Sequence, residues 1–253
     1  MFNTLPLTDR ITLAKKKTER VLDHLLYLLE LHENNAFVVY SSALSSQIPR
    51  SYAANAFNVF QRAMYQFEIV RLCALWDRAE ITKENIPIIA ELIDHPDIID
   101  TLAEETCSQH VNNTGTILNP SDDPELRKAE EEGLKQINER FGQEQAGKAR
   151  AELTKAISQT REMLASQRLT SIMNLRDKHL VHSLSETRRE RKTGPVLPMK
   201  YGDEREVLSC SLAIVEAFYC WVNGKGFSFD DSREIDRKNA EALWTRCTFD
   251  IVR

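Results

Sequence analysis

At 253 residues the chain is long enough for one large domain or two small ones. A hydrophobic fraction of 42% provides for a real core and excludes wholesale disorder, while 8 Gly and 8 Pro suit a helical chain better than a turn-rich β protein. The formal charge of −5 excludes a uniformly basic nucleic-acid coat but leaves room for a local basic pocket.

In chain order, Thr8 and Asp9 are placed to cap a first helix running to about Glu33. Leu22, Leu25 and Leu29 line its apolar face, and Lys15-Lys16-Lys17 begin its solvent side. His24 and His32 have no partner at ligand spacing and carry no expected function. Ala36 to Tyr40 fits a short strand or a turn of helix. Ser51 is placed to cap a second helix to about Arg78, closing on Leu75-Trp76-Asp77-Arg78. Along it Ala53, Phe57, Phe60, Met64, Phe67 and Val70 keep three-four spacing, which predicts a core stripe. Short helices are expected at about 83–93 and 97–107, the latter with Pro96 at its first turn.

Residues 108–123 are polar and read as a mobile loop, with His110 at the surface. Asp123-Pro124-Glu125 is a helix start, and no proline follows until Pro195. Two sparse apolar faces, separated by Gly142 and Gly147, predict two long charged helices that project in part as a hairpin at about 123–166. The apolar positions keep no heptad register, so a coiled coil is not expected. Residues 185–202 form a polar connection. Asp203 with Glu206 resembles a capping box opening a further helix, whose apolar side is Val207, Ile214, Phe218 and Trp221. After Gly224 and Gly226 a last helix, about Arg233 to Cys247, is expected to pack through Ala240, Leu243, Trp244 and Cys247. No repeat and no alternating β pattern of useful length appears, so the expectation is one all-α domain over 1–253.

The five cysteines are odd in number and none has CxxC spacing, which argues against a disulfide framework and a zinc site and for reduced thiols in helices. Met1 to Arg10 carries no leader pattern, and no run approaches the roughly 18 apolar residues of a membrane span. A soluble cytoplasmic protein with no membrane partner is expected.

The stretch that carries chemistry is Asn174-Leu175-Arg176-Asp177-Lys178-His179-Leu180-Val181-His182. Arginine holds a phosphate and stabilises charge building on it; histidine moves protons near neutral pH. Such a set can cleave RNA without a metal. With 20 Arg and 6 His in the chain, about one such spacing arises by chance, so context decides. On a continuous helix, residues six apart differ by about 120° around the axis and about 9 Å along it. Arg176 and His182 therefore meet on one phosphate only if the helix breaks near His182 or a second copy supplies the complement. His179, midway, would make a slanting stripe with them. The alternative is a solvated stripe with Arg176 paired to a carboxylate. Between Arg176 and Tyr201 seven Lys or Arg stand against three Asp or Glu, a basic island suited to a phosphate backbone in an otherwise acidic chain.

At these residues the chain resembles the HEPN superfamily of all-helical proteins, marked by an Arg, four to six residues and then a His, and within it the abortive-infection AbiU-like branch. The resemblance rests on Leu75-Trp76-Asp77 closing an early long helix, on Leu175 to Ser183, and on Tyr201-Gly202-Asp203 opening the next helix after a polar loop. It implies a HEPN-like helical bundle, dimerisation through the motif-bearing helices, and a role in phage defence or a toxin–antitoxin system with an antitoxin or defence partner. Many members are endoribonucleases that need no metal or cofactor. Carried over, Arg176 and His182 are the catalytic pair, with Asp177 the polar residue accompanying the Arg. His182 would deprotonate the ribose 2′-hydroxyl, His182 of a second copy would protonate the leaving 5′-oxygen, and Lys178, Arg188 and Arg189 would position the RNA backbone. Toxins neutralised by a minimal nucleotidyltransferase often carry Tyr two residues after the His; Leu184 stands there in this chain. The alternative is a catalytically silent HEPN module that binds nucleotide, RNA or a protein partner, and a purely structural helical partner is a third reading.

Overall fold

α1 (Leu7–Val38) is the helix on which α2 (Tyr52–Leu75), α3 (Ile86–Ile93), α8 (Asp203–Asn223) and α9 (Phe229–Trp244) pack. The computed structural model describes residues 4–112 and 121–251, and among these no strand occurs. The chain is all-α, as expected. Val21, Leu25, Leu28 and Leu29 form α1's buried stripe. Each such side chain contributes about 1.5–3 kcal/mol on burial. α1 begins at Leu7, so Thr8 and Asp9 lie inside its first turn and do not cap it; the N–H groups of Asp9 and Arg10 donate to the Pro6 carbonyl instead. It also runs on to Val38, which makes Ala36 to Val38 helix and not strand. Of the lysine run, Lys17 is buried along its stem.

α2 starts where expected, with Ser51 Oγ accepting the Ala54 N–H. Its apolar stripe is not core. All of α2's buried residues, Glu68 to Leu75, lie in its last turns, while Phe60 and Phe67 are each 43% exposed. Three-four spacing marks an apolar face without saying what covers it, and the amino-terminal half of α2 extends past the body of the core. α3 is capped by Asn85 Oδ1, and α4 (Pro96–Val111) has Pro96 in its first turn. α4 continues through the start of the expected loop, and residues 113–120 of that loop lie outside the described residues. His110 is helical and sits edge-on to Phe141, ring centres 5.0 Å apart.

The two long helices expected after Asp123 are one. α5 spans Pro124–Ala165 without interruption, capped by Asp123, and the break falls at Ser166, whose Oγ caps α6 (Gln167–Leu175) through the Leu169 N–H. Gly142 is a contact position: a Cβ there would stand 2.9 Å from the Cys107 carbonyl oxygen of α4. Arg150 of α5 meets Asp100 of α4, and Arg161 meets Asp94 just before α4, so α4 and α5 run antiparallel. The hairpin partner of α5 is thus α4. The first buried residue of α5 is Gly142, and the preceding turns stand clear of the core with Leu126 and Ile137 exposed.

Within the polar connection lies α7 (Arg188–Thr193), opened by a full capping box between Thr187 and Glu190. α8 is entered through Gly202 at φ +92°, not through a side-chain cap; Asp203 is its first residue, and its carboxylate accepts the Lys200 N–H. α8 is long and apolar enough to cross a membrane by length and composition, contrary to the sequence reading, but it buries Val207, Ile214 and Phe218 in the core. α9 is capped by Ser228 and ends at Trp244, a turn earlier at each end than expected; Leu243 is exposed and Cys247 lies beyond the helix.

Candidate functional site

α6 stops being α-helical where the chemistry begins. Arg176–Leu180 widens into a π-helical turn, with the Val181 N–H donating to the Arg176 carbonyl and the Leu184 N–H to the Lys178 carbonyl. Such single turns recur at functional positions. The helix is therefore broken immediately before His182, as a working site within one chain would require. Yet Arg176 and His182 share no hydrogen bond, and His179 and His182 are exposed without a hydrogen bond, ion pair or ring contact among the described residues.

Arg176, by contrast, is fixed. Its side chain is 18% exposed; Nη1 donates to Asp77 Oδ1 at 2.7 Å and Nε to Asp177 Oδ1 at 2.8 Å. Burial works against its charge, but the hydrogen bonds to Asp77 and Asp177 more than offset this and hold the guanidinium ionised. Asp77 is placed by the residue before it. Trp76 is buried and its indole N–H donates to Ser211 Oγ of α8 at 2.8 Å, which locks the end of α2. Cys73 lies buried nearby, its thiol pushed up to about 12 by burial, so it stays protonated.

Lys178 is also engaged. Its Nζ donates to both Glu190 oxygens at 3.0 and 3.1 Å. Glu190 further accepts the Thr187 N–H and the Asn174 amide, while Thr187 Oγ1 donates to Asn174 Oδ1 at 2.6 Å. The Thr187 N–H and the Lys178 ammonium hold the Glu190 carboxyl down at about 2. This network clamps α7 to the motif turn. It leaves Arg188, Arg189, Arg191 and Lys192 exposed on α7 with no ion pair among the described residues. Tyr201-Gly202-Asp203 is tied to the same region: Asp203 accepts from Arg168 of α6 at 3.1 Å, and the Tyr201 ring packs edge-on to Tyr40.

Of the residues singled out by sequence, the structure thus joins Arg176 with Asp177 and sets Lys178 against Glu190, while His179, His182, Arg188 and Arg189 stand free. Sequence reasoning did not find Asp77 as the second carboxylate on Arg176, nor Glu190. The signal for Glu190 was present as Thr187-Arg188-Arg189-Glu190, a capping-box spacing; Asp77 was marked by the Leu75-Trp76-Asp77 motif, but nothing in the sequence tied it to a partner 99 positions away. Among the described residues no three His, Cys, Asp or Glu side chains are grouped to hold a metal ion. The site offers two cations held by carboxylates, Arg176 and Lys178, two free imidazoles and the free cations of α7.

A family model described as AbiU2, of the HEPN proteins, matches residues 14–243. Comparison with curated proteins and with solved structures yields no match. The family match spans from α1 to α9, and the chain belongs to the AbiU2 family of HEPN proteins.

Proposed function

We propose that this AbiU2-family protein is a metal-independent endoribonuclease of a phage-defence or toxin–antitoxin system that acts as a homodimer. The observation that carries the reading is the π-turn at Arg176–Leu180, which ends the helix before His182 and leaves that imidazole exposed and, among the described residues, unpartnered, six positions after a guanidinium fixed in its charged form. One His182 takes the proton of a ribose 2′-hydroxyl. The 2′-oxygen attacks the adjacent phosphorus, the bond from phosphorus to the 5′-oxygen breaks, and His182 of a second copy protonates that oxygen. Arg176 stabilises the charge on the phosphoryl oxygens. The products carry a 2′,3′-cyclic phosphate and a 5′-hydroxyl. Arg188 and Arg189, free on α7, hold the backbone, whereas Lys178 holds α7.

A specific observation favours a second reading, a catalytically silent module that binds RNA, nucleotide or a protein partner: Arg176 already has two carboxylates on it. Total RNA incubated in EDTA with wild type, Arg176→Ala and His182→Ala separates the two. Cleavage by wild type alone, with cyclic phosphate ends, supports the ribonuclease. Folded protein that binds RNA without cutting it supports the module.

A further inference from the structure

Next to the motif turn lies a cleft of about 480 Å³ whose wall residues come from the end of α2, from α3, α5 and α6, and from α7. That volume falls in the range of about 300–1,000 Å³ typical of small-molecule sites. Its apolar lining is Leu169 and Met173 of α6 and Trp76, all buried, with the more exposed Leu164 of α5. Two guanidiniums line it, Arg78 and Arg189, and neither has a hydrogen bond or ion pair from its side chain among the described residues. Glu91 is the carboxylate on the same wall, so the cleft is net positive. Trp76's indole N–H is already bonded to Ser211 and the residue is buried, so it backs the cleft without offering it a polar group.

The position of the cleft is as informative as its lining. Arg78 directly follows Asp77, which holds Arg176; Arg189 directly precedes Glu190, which holds Lys178. The two contacts that fix the motif therefore also anchor the backbone next to each cleft arginine, while the two guanidiniums stay unpartnered among the described residues. Two unpartnered guanidiniums and several apolar side chains lining one cleft match a nucleoside phosphate, which has a charged group and a flat, weakly polar ring.

We propose that this cleft receives one unpaired nucleotide of a single-stranded RNA, its base against Leu169 and Met173 and its phosphate between Arg78 and Arg189. The proposal deepens the ribonuclease reading and makes Arg78 a substrate-binding residue. A base stacked within a duplex cannot enter such a cleft, so the ligand is single-stranded or carries a splayed base.

The test uses a labelled short 2′-O-methyl oligonucleotide, which lacks the attacking hydroxyl, so that binding is read without cleavage. Affinity is measured for wild type, Arg78→Ala, Arg189→Ala and Leu164→Trp, the last filling the cleft from a half-exposed position, with circular dichroism to show each variant folded. Each change is expected to weaken binding about tenfold, and each arginine removed to reduce the salt slope by about 0.7. A blunt duplex is expected to bind more weakly than the single strand. Equal affinity across all four proteins, or no binding by wild type, overturns the proposal. A free mononucleotide that binds as tightly as the oligonucleotide and competes with it overturns the RNA assignment, and makes the cleft a nucleotide site. Binding through the cleft by a protein that cuts no RNA upholds this proposal while the ribonuclease reading fails; cleavage untouched by all three variants does the reverse.

Discussion

Asp77 Oδ1 lies 2.7 Å from Arg176 Nη1, joining the end of α2 to the motif turn across 99 positions of chain. With Asp177 on the other side, the guanidinium is held in one orientation before any ligand arrives. Such fixing lowers the reorganisation a phosphate would otherwise demand. Asp77→Asn keeps an acceptor oxygen and removes the charge. Both partners are partly exposed, at 18% and 30% of their side chains, so solvent screens the pair and the expected loss of stability is about 1 kcal/mol. RNA cleavage is expected to fall at least tenfold, because a guanidinium that swings free is a poorer template. Denaturant unfolding and single-turnover rates on one preparation separate the two effects. A variant as active as wild type would mean that Asp77 serves only the fold.

Gly142 makes a sharper packing prediction. In the interior of α5, alanine ordinarily stabilises a helix over glycine by about 1 kcal/mol. At Gly142 the added Cβ would stand 2.9 Å from the Cys107 carbonyl oxygen and 3.2 Å from a Val111 methyl, so α4 and α5 must part. At Gly147 nothing lies within 4 Å. Gly142→Ala is therefore expected to lower stability by about 1–3 kcal/mol, and Gly147→Ala to raise it by about 0.5–1 kcal/mol. Thermal unfolding of the two variants side by side measures the difference in sign.

The same glycine shows where sequence reading ends. Local chemistry was legible: Ser51, Asp123 and Pro96 open helices as their side chains dictate. Gly142 was read as a break because sequence records only its poor helix propensity, not the neighbouring backbone that requires it. Likewise Phe57, Phe60 and Phe67 announced an apolar face but not whether another element covers it. At the site, the motif pointed to Arg176 and His182, and the helical geometry called for either a break near His182 or a second copy; the π-turn is such a break. Which carboxylates would hold the Arg depended on the fold of residues far apart in the chain. The seven basic residues of the island looked alike in sequence; only the structure separates Arg176 and Lys178, engaged with carboxylates, from the free cations of α7.

Glu190 ties the attachment of α7 to pH. Its carboxyl is held at about 2, below the ordinary 4.5, by the Thr187 N–H and then by Lys178. Folding therefore favours the ionised form. The stabilisation is complete above pH 4.5 and is lost as pH falls towards 2. Glu190→Gln cannot titrate, so the gap in melting temperature between wild type and variant is expected to be constant near neutrality and to close through that window. RNA affinity of Glu190→Gln at pH 7 is expected to fall as well, since α7 carries Arg188 and Arg189. A gap that does not change with pH would show that the Glu190 contacts contribute nothing through their charge.

The composite site predicts how activity responds to mixing. If one His182 removes the 2′-hydroxyl proton and His182 of a second copy protonates the leaving oxygen, a dimer with one His182→Ala chain lacks one of two essential groups. After subunits exchange at random, activity then follows the square of the wild-type fraction, because only dimers with two intact chains turn over. An equal mixture keeps about one quarter of the activity of the same amount of wild type, against about one half if each chain works alone. His179→Ala serves as the control: in the mechanism above it transfers no proton, so its mixtures are expected to retain nearly full activity. The measurement is a titration of His182→Ala into wild type at constant total protein, with exchange verified by native mass spectrometry. A straight line through verified mixed dimers would place both proton transfers within a single chain, and the exposed segment around His182 would then have to fold back over Arg176 when RNA binds.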